Sequence, residues 1–216
     1  MYPTIQEKAI VDATEKIMIE TMARYDPSHD KHHVQRVRRT ALTLARSIHP
    51  TPDLLTVELA ALLHDVLDKK YVTAEEAADP FTFFLPLFKT MAAEHEVDLI
   101  QDGRAQVITR IIDNVSWTTE KKLRETGKWS DWHDQCTELH CVQDADRLDA
   151  IGAFGIMRCS AYSTVTNRPL HTPPDDPEHL HTSIQHFYDK LVKIRDRLKT
   201  GPGRKLGDKR HKVVSC

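Results

Sequence analysis

The stretch DLLTVELAALLHDVL, Asp53–Leu67, is the most apolar segment of the chain, and its helical run is interrupted by adjacent His64 and Asp65. A segment apolar on all sides belongs inside a bundle, so this one reads as the central buried helix. Burying an imidazole beside a carboxylate is costly unless the two are hydrogen-bonded or hold a cation. A metal is the more economical account of the pair.

The flanking chain also reads as helices. Ile10, Met18 and Met22 mark an opening amphipathic helix that Asp26-Pro27 ends. A second helix is expected with Asp26 as its cap and Pro27 in its first turn, running to about Ile48. Residues 71–103, where DPFTFFLPLF carries prolines within an apolar run, read as short helices or a lid-like connection. Helices resume with RAQVITRIIDNVSW, give way to a polar loop around RETGKWSD, and return with TELHCVQDADRLDAIGAFGIMRCSAY. After the Pro-rich NRPLHTPPDDPEHLH, a last helix is expected from about Ser183 to Lys199, with Ile184, Phe187, Leu191 and Ile194 on one face. TGPG should stop it, leaving GRKLGDKRHK as a solvated terminus.

Composition agrees with this reading. The 216 residues are 40% hydrophobic, 29% charged and only 6% aromatic, with 7 glycines, which favours helices over a turn-dense all-β fold. The expectation is one all-α domain over residues 1–216, with a core at about 20–200, a polar insert at about 118–137 and a Pro-rich loop at about 167–182. A net charge of −2 gives no global reason to bind nucleic acid or an anionic membrane. No run is long enough to span a bilayer, and MYPTIQEKAIVDATEK lacks a signal-peptide layout, so a soluble, cytoplasmic protein is expected. Cys136, Cys141, Cys159 and Cys216 form no CxxC pair and read as reduced thiols.

Two further segments bear on the buried pair. PSHDKHHVQRV, Pro27–Val37, packs three histidines and Asp30 into five residues, His29 to His33. Against the apolar stripe Val34, Val37, Ala41, Leu44 and Ile48, His33 lies roughly 70° from the centre and His32 roughly 170° away. His33 is thus the candidate ligand, with a satisfied boundary histidine as the bland alternative, and His32 faces solvent. His29 falls in the first turn, where capping competes with ligation. Asp30 either orients a ligand histidine or is an ordinary first-turn acid. CVQDADRLDAIGAFGI sets three acids among small and apolar residues. Asp146 aligns with Leu139, Val142, Ala150 and Ala153, whereas Asp144 points to the other side with Leu148 and Ile151. Asp146 is the expected ligand, and Asp144 remains the alternative or a support from behind. Asp149, about a turn after Asp146, is a second candidate support.

A His, an adjacent His-Asp pair and a distant Asp, in that order on successive helices, resemble the signature of the HD superfamily of metal-dependent phosphohydrolases. Here the motif is His33, His64, Asp65 and Asp146. SHDKHHVQRV, LLHDVLDKK, DADRLDAIGAFGIMR and TSIQHFYDKLVKIRDRLKT each resemble segments of one subgroup, the small stand-alone HD hydrolases of bacteria and fungi, which include nucleotide pyrophosphohydrolases. The likeness extends over about residues 20–212, while TTEKKLRETGKWSDWHDQC is longer than that subgroup leads one to expect.

The resemblance implies a single helical HD domain with one divalent ion between its central helices. Manganese or magnesium is expected, and iron, cobalt, nickel or zinc is compatible with a mixed N/O set. It further implies hydrolysis of a nucleotide or a related phosphoester or phosphoanhydride, with pyrophosphate release from a nucleoside triphosphate as one form, and a homodimer. Such an ion lowers the pKa of a bound water and polarises a phosphoryl oxygen. Asp68, a turn beyond the His-Asp pair, would act as general acid/base, the alternative being a salt bridge to Lys69 or Lys70. Arg36 and Lys70 would clamp phosphate, with Arg147 and Arg158 as further candidates. Two other readings remain: a di-iron oxygenase, disfavoured because RAQVITRIIDNVSW lacks an extra His pair, and a non-catalytic nucleotide-binding regulatory module. The groups His171, His179, His181 and His133, Cys136, His140, Cys141 lack paired zinc-ligand spacing.

Overall fold

The computed structural model describes residues 2–67, 72–73, 75 and 78–214, and all of its regular structure is helical. Around the central α3 (Leu54–Leu63) pack α1 (Ile5–Met22), α2 (Lys31–Arg46), α5 (Arg104–Asn114) and α8 (Thr137–Asp149). Nine of the ten residues of α3, Leu55 through Leu63, are buried, as its unbroken apolar pattern requires. The helix starts where Asp53 accepts a hydrogen bond from the Thr56 N–H, and its C-cap is His64. The apolar helix therefore ends at the polar pair.

Helix α2 begins later than expected. Asp30, not Asp26, caps it, accepting from the His33 N–H at 2.9 Å. Asp26 is occupied instead by the Ser28 N–H and hydroxyl, which holds residues 26–30 in a turn. His29 consequently precedes the helix, and His33 occupies its first turn.

The proline-containing region resolves into α4 (Pro80–His95), a single helix rather than several short ones. Asp79 caps it and Pro80 takes the first position, where a missing N–H costs nothing. Pro86 is tolerated because it and Thr82, whose carbonyl would otherwise accept its N–H, lie on the exposed side. Phe84, Phe88 and Met91 anchor the opposite face.

The expected polar insert contains α6 (Trp117–Glu125) and the short α7 (Asp131–Gln135). Helix α8 stops at Asp149, and Gly152, at φ 77°, turns the chain into α9 (Gly152–Val165). The expected helix from Ser183 divides into α10 (Ser183–Asp189) and two 3-10 turns, Leu191–Lys193 and Arg195–Arg197. Leu191 and Ile194 are buried, but Ile184 is 41% exposed, so the predicted stripe does not act as one face.

The largest correction concerns TGPG, which starts a helix instead of stopping one. Helix α11 (Gly201–Val214) packs on α8 and α9. Asp144 accepts from the Lys199 and Thr200 N–H groups, and the Thr200 hydroxyl accepts from the Gly203 N–H. A Cβ at Gly203 would fall well inside contact distance of the Asp144 carboxylate, so only glycine permits this approach.

Candidate metal centre

Three elements converge on one cluster: the first turn of α2, the C-terminal end of α3, and the last turns of α8. They bring together His33, His64, Asp65 and Asp146. His33 is fully buried, with Nε2 3.3 Å from Asp65 Oδ2 and 3.5 Å from Asp146 Oδ1. His64 Nε2 lies 3.4 Å from the same Asp65 oxygen, and the two imidazoles meet edge to face at 5.4 Å. One donor atom each from His33, His64 and Asp146 falls within a mutual 4.8 Å.

The tautomers follow from the partners. His64 Nδ1 lies 2.8 Å from the Ala61 carbonyl, which can only accept, so Nδ1 donates and Nε2 is the nitrogen turned to the cluster. His33 Nδ1 donates to Asp149 Oδ2 at 2.7 Å, which likewise turns its Nε2 lone pair inward. His33 Nε2, His64 Nε2 and Asp65 Oδ2 are buried without a hydrogen-bond partner among the described residues. With both imidazoles neutral, electron pairs face one another across the cluster, and each unsatisfied buried acceptor costs roughly 1–3 kcal/mol. A divalent cation removes all three deficits at once, so the residues present fit a mixed N/O metal site.

Burial and the Arg158 charge oppose an imidazolium at His33, but the carboxylates of Asp149 and Asp65 outweigh both and raise its pKa. Burial alone would raise the Asp65 carboxyl, whereas the two imidazoles hold it well below the usual carboxylate range. Each shift has the sign expected of a pocket that attracts positive charge.

Asp149 is the hub behind the cluster. Besides His33 it accepts from Arg36 Nε at 2.8 Å and Nη2 at 2.9 Å, and from Arg158 Nη1 at 3.2 Å. Despite its burial, the His33 and Arg36 hydrogen bonds keep its carboxyl far below the ordinary range. Arg36 and Arg158, expected as phosphate clamps, are thus tied to a carboxylate. Arg158 is further held by the Ser28 carbonyl at 2.6 Å, while the Arg36 guanidinium lies 4.8 Å over the Phe154 ring.

The remaining expected residues lie apart. Asp30 caps the backbone of His33 and makes no bond to its ring. Asp144 faces away and serves the start of α11, its pKa raised by burial. Arg147 is 3% exposed and paired with Glu120 Oε2 at 2.5 Å and with the Arg197 carbonyl, so it is not placed to meet a substrate here. Its partner in the polar insert was invisible in the sequence, since nothing in TTEKKLRET distinguishes Glu120 from its solvated neighbours. His29 lies nearer the cluster than a purely local role requires, its ring 5.9 Å from that of His33. His32 is exposed as expected. Asp68 and Lys70 lie outside the described residues. No other group of three or more candidate metal ligands occurs among the described residues.

Residues 31–151 match the HD domain family model, a span that opens two residues before His33 and closes two residues after Asp149. The chain belongs to the HD domain family. This HD protein is 30% identical to YpgQ of Bacillus subtilis over 191 residues, covering 86% of this chain and 79% of YpgQ. A structure of YpgQ in complex with ADP superposes with a TM-score of 0.70 at 25% identity, covering 98% of this chain and 92% of that one. A Lactobacillus plantarum protein gives 0.74 at 28% identity, with 96% and 92% covered. An HD-superfamily hydrolase of Bacillus thuringiensis gives 0.67 at 26%, with 97% and 93% covered. These likenesses place the chain among hydrolase-type HD proteins whose domains bind divalent metals. No helix among the described residues is long and apolar enough to cross a membrane.

Proposed function

We propose that this protein is a divalent-metal-dependent nucleotide phosphohydrolase that releases pyrophosphate from nucleoside triphosphates. The observation that carries the reading is the set of inward-facing, unpartnered atoms on His33, His64 and Asp65, beside Asp146. These four residues would hold the ion, with manganese or magnesium the proposed metal. When bound it supplies an activated water and charge stabilisation at phosphorus.

The chain's own contributions are positional and electrostatic. Asp149 and the Ala61 carbonyl fix the two imidazoles with Nε2 inward. Asp65 and Asp146 retain 17% and 28% side-chain exposure, so the cluster opens to solvent on the carboxylate side. Arg36 uses two of its five N–H donors on Asp149 and has 27% side-chain exposure, leaving donors for a phosphoryl oxygen. Asp68 as general acid/base and Lys70 as a second clamp complete the proposal. Water adds across the α–β phosphoanhydride bond, giving a nucleoside monophosphate and pyrophosphate. The nucleotide assignment is supported by the ADP complex of YpgQ.

The test is a metal-supplemented screen of nucleoside mono-, di- and triphosphates, with phosphate and pyrophosphate measured separately, repeated on Asp65→Ala. Pyrophosphate release by the wild type that is lost in the variant is expected. Activity that survives Asp65→Ala would refute the site, and no hydrolysis under any metal would refute the activity.

A further inference from the structure

Helix α9 lies along the cluster and presents Phe154, Arg158 and Tyr162 at four-residue spacing, a single face of the helix. Each meets the far side of the site. Arg36 lies over Phe154, Arg158 bonds Asp149 and the Ser28 carbonyl, and Tyr162 stands edge-on to His29 at 6.2 Å.

Phe154 is the anomaly in this row, because it is 56% exposed. An exposed apolar residue alone says little. Here, however, one side of the ring carries a guanidinium whose position is fixed by two bonds to Asp149, and Asp149 in turn holds His33. Three successive contacts, at 4.8, 2.8 and 2.7 Å, therefore connect the open ring to the proposed metal ligand. A ring with one side braced and the other open, next to a phosphate-directed cluster, suits a flat aromatic ligand group.

We infer that Phe154 is the stacking platform for the nucleobase of the substrate and that it sets substrate specificity by π-face contact. The inference rests on the nucleotide phosphohydrolase reading and adds what that reading lacks, the means by which the nucleoside end is recognised. A stacked base is selected for its aromatic area and not for its hydrogen-bonding edge. The enzyme should accept all four bases and prefer the larger purines.

The test compares wild type, Phe154→Ala, Phe154→Leu and Phe154→Trp by KM and kcat for ATP and CTP, by the inhibition constant of inorganic tripolyphosphate, and by oligomeric state in solution. Phe154→Ala should raise KM for both nucleotides about 5- to 150-fold, the range for loss of one base stack. Both kcat and the tripolyphosphate inhibition constant should stay unchanged, Phe154→Leu should recover little, and Phe154→Trp should restore KM. Unchanged KM in Phe154→Ala overturns the inference, as does weakening of tripolyphosphate by the same factor. A change in oligomeric state with KM intact also overturns it and makes the ring a contact between copies. A wild-type protein that hydrolyses no nucleotide sinks the underlying reading, an outcome visible without any variant.

Discussion

Replacing Asp149 with Asn changes one atom and forces a choice among its neighbours. If the amide oxygen faces His33 Nδ1, the amide N–H groups take the place of Oδ1 and point at Arg36 Nε, where donor meets donor. If the amide nitrogen faces His33 instead, the imidazole must move its proton to Nε2, which places hydrogen where the lone pair was turned towards Asp65 and Asp146. Either arrangement weakens the cluster as a metal site. Loss of a carboxylate behind a ligating histidine costs about 10- to 100-fold in metal affinity or activity, or roughly 1.4–2.8 kcal/mol. Asp149→Ala adds a stability loss, because two guanidiniums lose their counter-ion at side-chain exposures of 27% and 12%. Breaking a buried pair costs about 3–5 kcal/mol, and the partial exposure of Arg36 places this case near 3. That corresponds to a fall in Tm of about 6–12 °C for a chain of this size. Manganese affinity is measured by competition with a chromophoric chelator, and Tm by calorimetry in EDTA. Wild-type metal affinity in Asp149→Asn would refute the account of how His33 is oriented.

Three other outcomes follow from the same geometry. With the metal chelated, the raised pKa of His33 means that its contribution is complete below the unfolded value near 6.5. It is lost as pH rises through the folded value, so melts in EDTA should show stability falling as pH rises above about 6.5, and excess manganese should abolish that fall. Glu120 is buried and receives Arg147, Arg124 and Lys199, whose charges hold its pKa at about 2 against the opposing effect of burial. Glu120→Gln should cost about 3–5 kcal/mol by denaturant titration. Gly203→Ala should destabilise by about 1–3 kcal/mol, read from thermal melts, because the added methyl displaces the Asp144 carboxylate from the start of α11.

The bundle was legible where periodicity is strong. The unbroken run of α3 and the stripe of α2 identified buried helices, and His33 at the margin of that stripe is fully buried. Boundaries failed where side chains competed for backbone donors: Asp26 was the expected cap of α2, but it is taken up by the turn bonds from Ser28, and Asp30 caps the helix instead. TGPG carries the composition of a stop, yet it begins a helix because the Thr200 hydroxyl accepts from the Gly203 N–H, and Asp144, more than fifty residues earlier, holds Thr200 in place. In the candidate site, the residues that converge were legible as types that are costly to bury. The destinations of the arginines were not, since Arg36, Arg147 and Arg158 look alike in one dimension, yet Arg36 and Arg158 share Asp149 while Arg147 pairs with Glu120.

Helix α8 works in two directions within a few residues. Asp146 and Asp149 serve the cluster, while Asp144 and Arg147 tether α11, the segment before it and the polar insert. The pocket and the distal end of the chain thus share one mechanical member, much as two doors hung on one post. Whatever stiffens the post on one side damps motion on the other, which makes the protease susceptibility of exposed Lys205 and Lys209 a distant gauge of whether the cluster is filled.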